Sequence, residues 1–170
     1  DGLSYEKAAL IEPIAVAVHS LRTGRFLTGQ SALVLGAGPI GLATIEALKA
    51  AGASLVIVMQ RKSVRQDYAL RAGADIVIDP NEVNVAEEVK RLTGGVGADI
   101  SFETTGSNRA QTRPYGEDTR DLSVRLFKVT HISQRKHKHF ETSSHFLYKI
   151  IPIKEVTNCD RSEEFSKEIR

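Results

Sequence analysis

The chain has 170 residues, is 41% hydrophobic and 26% charged, and carries a net charge of +2, the make-up of an ordinary globular protein with a proper core. That charge gives no argument for a nucleic-acid or membrane partner. The lone Cys159 excludes an intramolecular disulfide and a cysteine-rich zinc site, which fits a reducing, cytoplasmic setting.

No apolar run approaches the roughly 20 residues needed to span a bilayer, and no signal peptide is visible. The first residue is Asp1 rather than Met, so the chain reads as trimmed or as a piece of something longer. Residues 3–22 read as helix in two pieces. Ser4 suits an N-cap, with Glu6 in the first turn where a carboxylate is favoured. Pro13 suits a first helical position and pushes Glu12 out of the α region. A second helix is therefore expected from Pro13 to about Leu21, with Gly24 as its stop.

Gly29-Gln30 turns into a strand at Ser31–Leu35, and the stretch after it is the most informative in the chain. Gly36, Gly38 and Gly41 stand at G-x-G-x-x-G spacing, between an apolar strand and a helix that opens with Pro39 and Ile40. Gly36 permits a tight turn and Gly38 lets backbone approach a pyrophosphate. Gly41 lets the new helix pack closely on the sheet. Phosphates would sit at the helix N-terminus, where unpaired N–H groups and the dipole face them.

That helix is expected to run to Ala51 and end at Gly52. Leu55–Met59 is a continuous apolar run, as expected of a strand covered on both faces. Ser63 suits the cap of a helix to about Ala72, and Ile76–Ile78 is a third strand closed by Asp79-Pro80-Asn81. Asn84 opens a helix to Leu92, with Val85, Val89 and Leu92 on one face. A fourth strand, Asp99–Glu103, ends at Thr104-Thr105-Gly106. Alternating strands and helices predict an α/β fold, a Rossmann-type doubly wound parallel sheet.

Composition changes near residue 107. Twelve of the 13 glycines lie before it, and net charge passes from −2 over residues 1–107 to +4 over 108–170. Strands are expected at Val124–Val129 and Phe146–Ile153, with a short helix opening at Cys159–Glu164. Residues 1–30 are thus read as a helical lead-in, 31–107 as the nucleotide-binding core, and 108–170 as an atypical tail that leaves the sheet incomplete. The abrupt change at Ser107 suggests an altered reading frame or a mis-joined segment. The basic run Gln134–His139 has no interleaved aromatic platform and reads as solvated rather than nucleic-acid binding.

Further stretches carry a family likeness: Ala9-Leu-Ile-Glu12-Pro13 through His19, Leu33 through Gly41, Ala72-Gly-Ala-Asp75, Leu92 through Asp99 and Phe102-Glu-Thr-Thr-Gly106. Through them residues 2–107 resemble the zinc-containing medium-chain alcohol and polyol dehydrogenases, particularly the sorbitol and (R,R)-butanediol dehydrogenase branch. The resemblance implies a nicotinamide coenzyme, NADP or NAD, and zinc in the complete parent. It implies hydride transfer from a small-molecule secondary alcohol or vicinal diol, and is compatible with a homo-oligomer. It puts Glu12 beside the metal, and Thr105 and Gly106 along the coenzyme. The family's main zinc ligands, a cysteine and a histidine, have no counterpart here, so the chain by itself is expected to be inactive.

Coenzyme choice is expected to rest on residue 60. An acid about 20 residues past the glycines accepts hydrogen bonds from the NAD ribose, whereas a nearby Arg suits the phosphate of NADP. Here Gln60 takes that place, with Arg61, Lys62 and Arg65 following, which favours NADP. The alternatives are a nucleotide-binding module without catalysis, or a non-functional product whose uncovered sheet edge aggregates.

Overall fold

The computed structural model describes residues 2–105 and, beyond them, the backbone of two strands, Leu126–His131 and Tyr148–Ile153. In chain order the elements are α1 (Tyr5–Thr23), β1 (Ser31–Leu35), α2 (Pro39–Ala50), β2 (Leu55–Met59), α3 (Val64–Arg71), β3 (Ile76–Ile78), α4 (Val85–Leu92), β4 (Ile100–Glu103), β5 (Leu126–His131) and β6 (Tyr148–Ile153). They form one sheet in the order β3-β2-β1-β4-β5-β6. Neighbours from β3 to β5 are parallel, and β6 pairs antiparallel with β5.

The apolar runs in β1 and β2 follow from burial on both faces. Ala32 and Val34 of β1, Val56 and Val58 of β2, and Ile100 and Phe102 of β4 pack with Leu21 of α1, Ile45 and Leu48 of α2, and Ala69 of α3. The alternate residues Leu33, Leu35, Ile57, Met59 and Ile78 pack with Val85, Ala86 and Val89 of α4. Register makes the two sets coherent, since Ala32 stands beside Val56 on one side and Ile100 on the other. A slip by one residue would exchange the faces. The expected doubly wound parallel arrangement is present. No helix among the described residues is long and apolar enough to cross a membrane.

The local signals were good guides to where helices begin. Ser4, Ser63 and Asn84 each accept a hydrogen bond from a backbone N–H of the helix they precede. The expected break at Pro13 is not there. α1 runs unbroken from Tyr5 to Thr23 with Pro13 inside it. Tertiary packing outweighs the proline: Val16, Ala17, Ser20 and Leu21 are buried in the second half of the helix. The first half, through Ile11, is exposed, so a backbone carbonyl deprived of its partner there is open to water.

The expected uncovered edge beside β4 is also absent. β5 pairs with it, setting Ser101 beside Leu126 and Phe102 beside Phe127. The strands expected at 124–129 and 146–153 thus occur as β5 and β6. The helix expected at Cys159–Glu164 and the basic run Gln134–His139 lie outside the described residues.

Two features fix β1 in place. At its start, Asp99 Oδ2 accepts from both the backbone N–H and the hydroxyl of Ser31, each at 2.7 Å. At its end, α2 lies so close that a Cβ on Gly41 would stand 2.1 Å from the Gly36 carbonyl oxygen. Backbone cannot yield as a flexible side chain does. Gly41→Ala is therefore expected to lower stability by about 2–3 kcal/mol, as over-packing does. Asp99→Ala should cost about 2 kcal/mol through the loss of charge-assisted bonds at a part-buried strand start. Urea unfolding followed by circular dichroism measures both losses.

Candidate functional site

The carboxyl ends of β1, β2, β3 and β4 lie along one edge of the sheet, and strand order reverses between β1 and β4. Open α/β sheets bind ligands at such a point. The turn after β1 occupies it. Gly36 has φ +98°, a conformation that L side chains rarely adopt, and its N–H donates to Met59 O at 2.9 Å. The Ala37 N–H donates to Gln60 Oε1 at 2.9 Å. Gly38 has φ −80° and caps α2 without a side-chain bond, and a Cβ there would meet nothing within 4 Å. Thus Gly36 and Gly41 are glycines because protein surrounds them, whereas Gly38 faces open space.

Pro39 is the first residue of α2 and has no N–H to satisfy. The N–H groups of Ile40 and Gly41 find no acceptor among the described residues, while Leu42 N–H already bonds Gly38 O at 2.8 Å. These open donors, the positive end of the helix dipole and the bare Gly38 form a small cradle suited to an anion.

The loop after β2 adjoins this turn through Gln60. Besides accepting from Ala37, its amide Nε2 donates to Arg61 O at 3.1 Å and to Ser63 Oγ at 3.4 Å. Gln66 Nε2 donates back to Gln60 O at 2.9 Å. Asp79, only 7% exposed at the end of β3, accepts from Lys62 N at 2.6 Å and from Asn81 N at 2.8 Å. The loop backbone is therefore held from both sides. The side chains of Arg61, Lys62 and Arg65 are exposed, and none forms an ion pair among the described residues.

The exit of β4 completes the edge. Thr105 N–H donates to Glu103 Oε1 at 2.7 Å, and the Thr105 hydroxyl donates to the same oxygen. Glu103 is 2% exposed, and its Oε2, like Ser101 Oγ, is buried without a partner among the described residues. Thr105 itself is exposed and its methyl lies against Gly36. Gly106 falls outside the described residues.

The structure thus brings together Gly36, Gly38, Pro39, Ile40, Gly41 and Gln60, with Arg61 and Lys62 on the adjoining loop, Arg65 in the first turn of α3 and Thr105 against the turn. Glu12 lies apart on α1. Its Oε1 is buried without a partner among the described residues. No three His, Cys, Asp or Glu side chains among the described residues gather to hold one metal ion. A zinc site needs at least three protein donors, so Glu12 and its described neighbours do not make one.

Sequence reasoning missed three contributors: Asp79 beneath Lys62, the buried Glu103, and Thr104, whose hydroxyl bonds Leu35 O and Gly36 O. Asp79-Pro80-Asn81 was legible as a turn. Nothing local tied it to a loop 17 residues earlier.

Comparisons with known proteins agree with this fold. A family model described as zinc-binding dehydrogenase matches residues 39–115. The (R,R)-butanediol dehydrogenase of Bacillus subtilis is 47% identical over 107 residues, which are 62% of this chain and 30% of the relative. The sorbitol dehydrogenase of the same organism is 38% identical over 110 residues, covering 65% of this chain and 31% of the relative. Among solved structures, 2R,3R-butanediol dehydrogenase from Bacillus subtilis superposes with a TM-score of 0.64 at 36% identity, covering 81% of this chain and 39% of that one. The alcohol dehydrogenase of Thermus sp. ATN1 gives 0.60 at 32% identity, covering 65% and 32%. The chain spans about 30% of the length of the curated relatives it matches. Through that portion it is similar to the zinc-binding dehydrogenases.

Proposed function

We propose that this chain holds the coenzyme of a zinc-dependent alcohol or polyol dehydrogenase, with residues 31–107 as the binding core and 1–30 as the lead-in from the rest of the protein. The observation that supports it best is the open anion cradle: Gly38 with free space before it, and the Ile40 and Gly41 N–H groups without acceptors among the described residues. A pyrophosphate there would receive backbone hydrogen bonds at the positive end of α2. A nicotinamide coenzyme supplies a hydride acceptor or donor when bound. The chain's own contribution is to grip the phosphates and adenosine ribose, leaving Thr105 and Gly106 to border the coenzyme's course past β4.

The coenzyme proposed is NADP(H) rather than NAD(H). Gln60 puts no carboxylate at the end of β2, and its amide is engaged in holding the turn and the loop together. Arg61, Lys62 and Arg65 offer cations with no competing ion pair among the described residues, suited to charge-assisted bonds with a 2′-phosphate. The substrate in the complete protein is a secondary alcohol or vicinal diol, by likeness to relatives named for butanediol and sorbitol. Glu12 would border the metal there only with donors from elsewhere. The proposed setting is the cytoplasm, where a lone Cys159 stays reduced.

Fluorescence or calorimetric titration tests the reading. The chain should bind NADP(H) more tightly than NAD(H), and tighter NAD(H) binding would overturn the preference. Arg61→Ala should weaken NADP(H) about tenfold, roughly 1.4 kcal/mol, and leave NAD(H) within about twofold. Gly38→Ala should abolish measurable binding of both while leaving the unfolding midpoint nearly unchanged, because the added methyl occupies only space where the phosphates belong. Retained binding in Gly38→Ala would remove the cradle from the site.

A further inference from the structure

Thr104 stands where the exit of β4 meets both ends of the glycine turn. Its backbone N–H donates to Leu35 O at 3.0 Å. Its hydroxyl lies 2.9 Å from Leu35 O and 3.1 Å from Gly36 O, shared between the last carbonyl of β1 and the first of the turn. The same oxygen would be 3.4 Å from a Cβ on Gly36 and 3.0 Å from one on Gly41. So the hydroxyl sits in the notch between the turn's entry and the first turn of α2. Its neighbour is held too, since the Thr105 N–H and hydroxyl both donate to buried Glu103.

We infer that Thr104 is a positioning residue for phosphate binding: its hydroxyl fixes the Gly36 carbonyl, and thereby sets the direction in which the Ile40 and Gly41 N–H groups point. The inference rests on the coenzyme reading above and adds to it a residue from a distant strand, 68 positions away in the chain. The physical reason is preorganisation. Gly36 is conformationally permissive, and its carbonyl would otherwise be free to rotate with the turn. A donor on the neighbouring rigid strand removes that freedom before the ligand arrives, so less ordering is charged against binding. A threonine supplies the donor on a short side chain. A valine of the same shape would set a methyl against two carbonyls and supply none.

The test compares the 170-residue wild type with Thr104→Val and Thr104→Ser, with Thr104→Ala as a second route should valine prevent folding. Each is titrated with NADP+ and with adenosine 2′-monophosphate, which has the 2′-phosphate but no phosphate at the 5′ position to enter the cradle. Thr104→Val should bind NADP+ five- to tenfold more weakly and adenosine 2′-monophosphate within twofold of wild type, and Thr104→Ser should bind both like wild type. Without ligand, amide exchange at Gly36, Ala37 and Leu42, whose N–H groups are bonded in the turn, should be at least fivefold faster in Thr104→Val. Equal losses for both ligands, unchanged affinity for NADP+, or no recovery with serine would overturn the inference. A wild type that binds neither ligand would overturn the coenzyme reading instead. Exchange then decides the role of Thr104 in the turn, and unchanged rates would end that claim as well.

Discussion

The tightest constraint among the described glycines is the contact between α2 and the end of β1. With a Cβ on Gly41 falling 2.1 Å from Gly36 O, the helix can take this position only if residue 41 has no side chain. The turn reaches it only if Gly36 holds φ +98°. Those two requirements fix the axis of α2 relative to the central strand. Ile45 and Leu48 then fall over Val34, Val56 and Phe102, and α1 packs in turn on α2 through its buried second half. The same approach determines where the first N–H groups of α2 point. The packing of α2 and the shape of the proposed anion cradle thus both depend on one missing Cβ.

A second regularity supports the edges of the sheet. Four carboxylates each accept from a backbone N–H that the ladder leaves over. Asp99 does so for Ser31 and Asp75 for Val56, both at 2.7 Å, at the starts of β1 and β2. Asp79 does so for Lys62 at 2.6 Å and Glu103 for Thr105 at 2.7 Å, at the ends of β3 and β4. An orphaned N–H away from water is expensive, and a charged acceptor is a strong remedy. The division is informative. Asp75 and Asp99 hold the amino edge, at the strand starts opposite the candidate site. Asp79 and Glu103 hold loops on the carboxyl edge and shape the site.

How far the chain was legible follows from the range of each interaction. The caps Ser4, Ser63 and Asn84 act within three residues, and their signals read correctly. The alternation that buries both faces of β1 and β2 also lies within single strands. Pro13 misled because a proline's local cost was set against burial of Val16, Ala17, Ser20 and Leu21, which only the folded helix pair makes visible. Thr104 and Asp79 act on residues 68 and 17 positions away, and no spacing in the sequence announces those pairs. Gln60 is the intermediate case. Its position marked it, but the partners of its amide did not follow from position alone.

Gln60 also connects the two halves of the proposed coenzyme cradle. One half is the glycine turn, neutral and made of backbone. The other is the basic loop, made of side chains. A single carboxamide joins them, accepting from Ala37 and donating to Arg61 O and Ser63 Oγ. A carboxylate at position 60 would retain the acceptor for Ala37 and lose the donor for the loop, setting one of its oxygens near the Arg61 carbonyl. Exchange of the amide for an acid therefore does more than remove or restore charge beside a ribose. It loosens the segment that presents Arg61 and Lys62, so the loss of a phosphate site and the gain of a ribose acceptor would arrive together. On the proposed reading, the residue that would select between coenzymes is also the residue that holds the selecting loop to the turn.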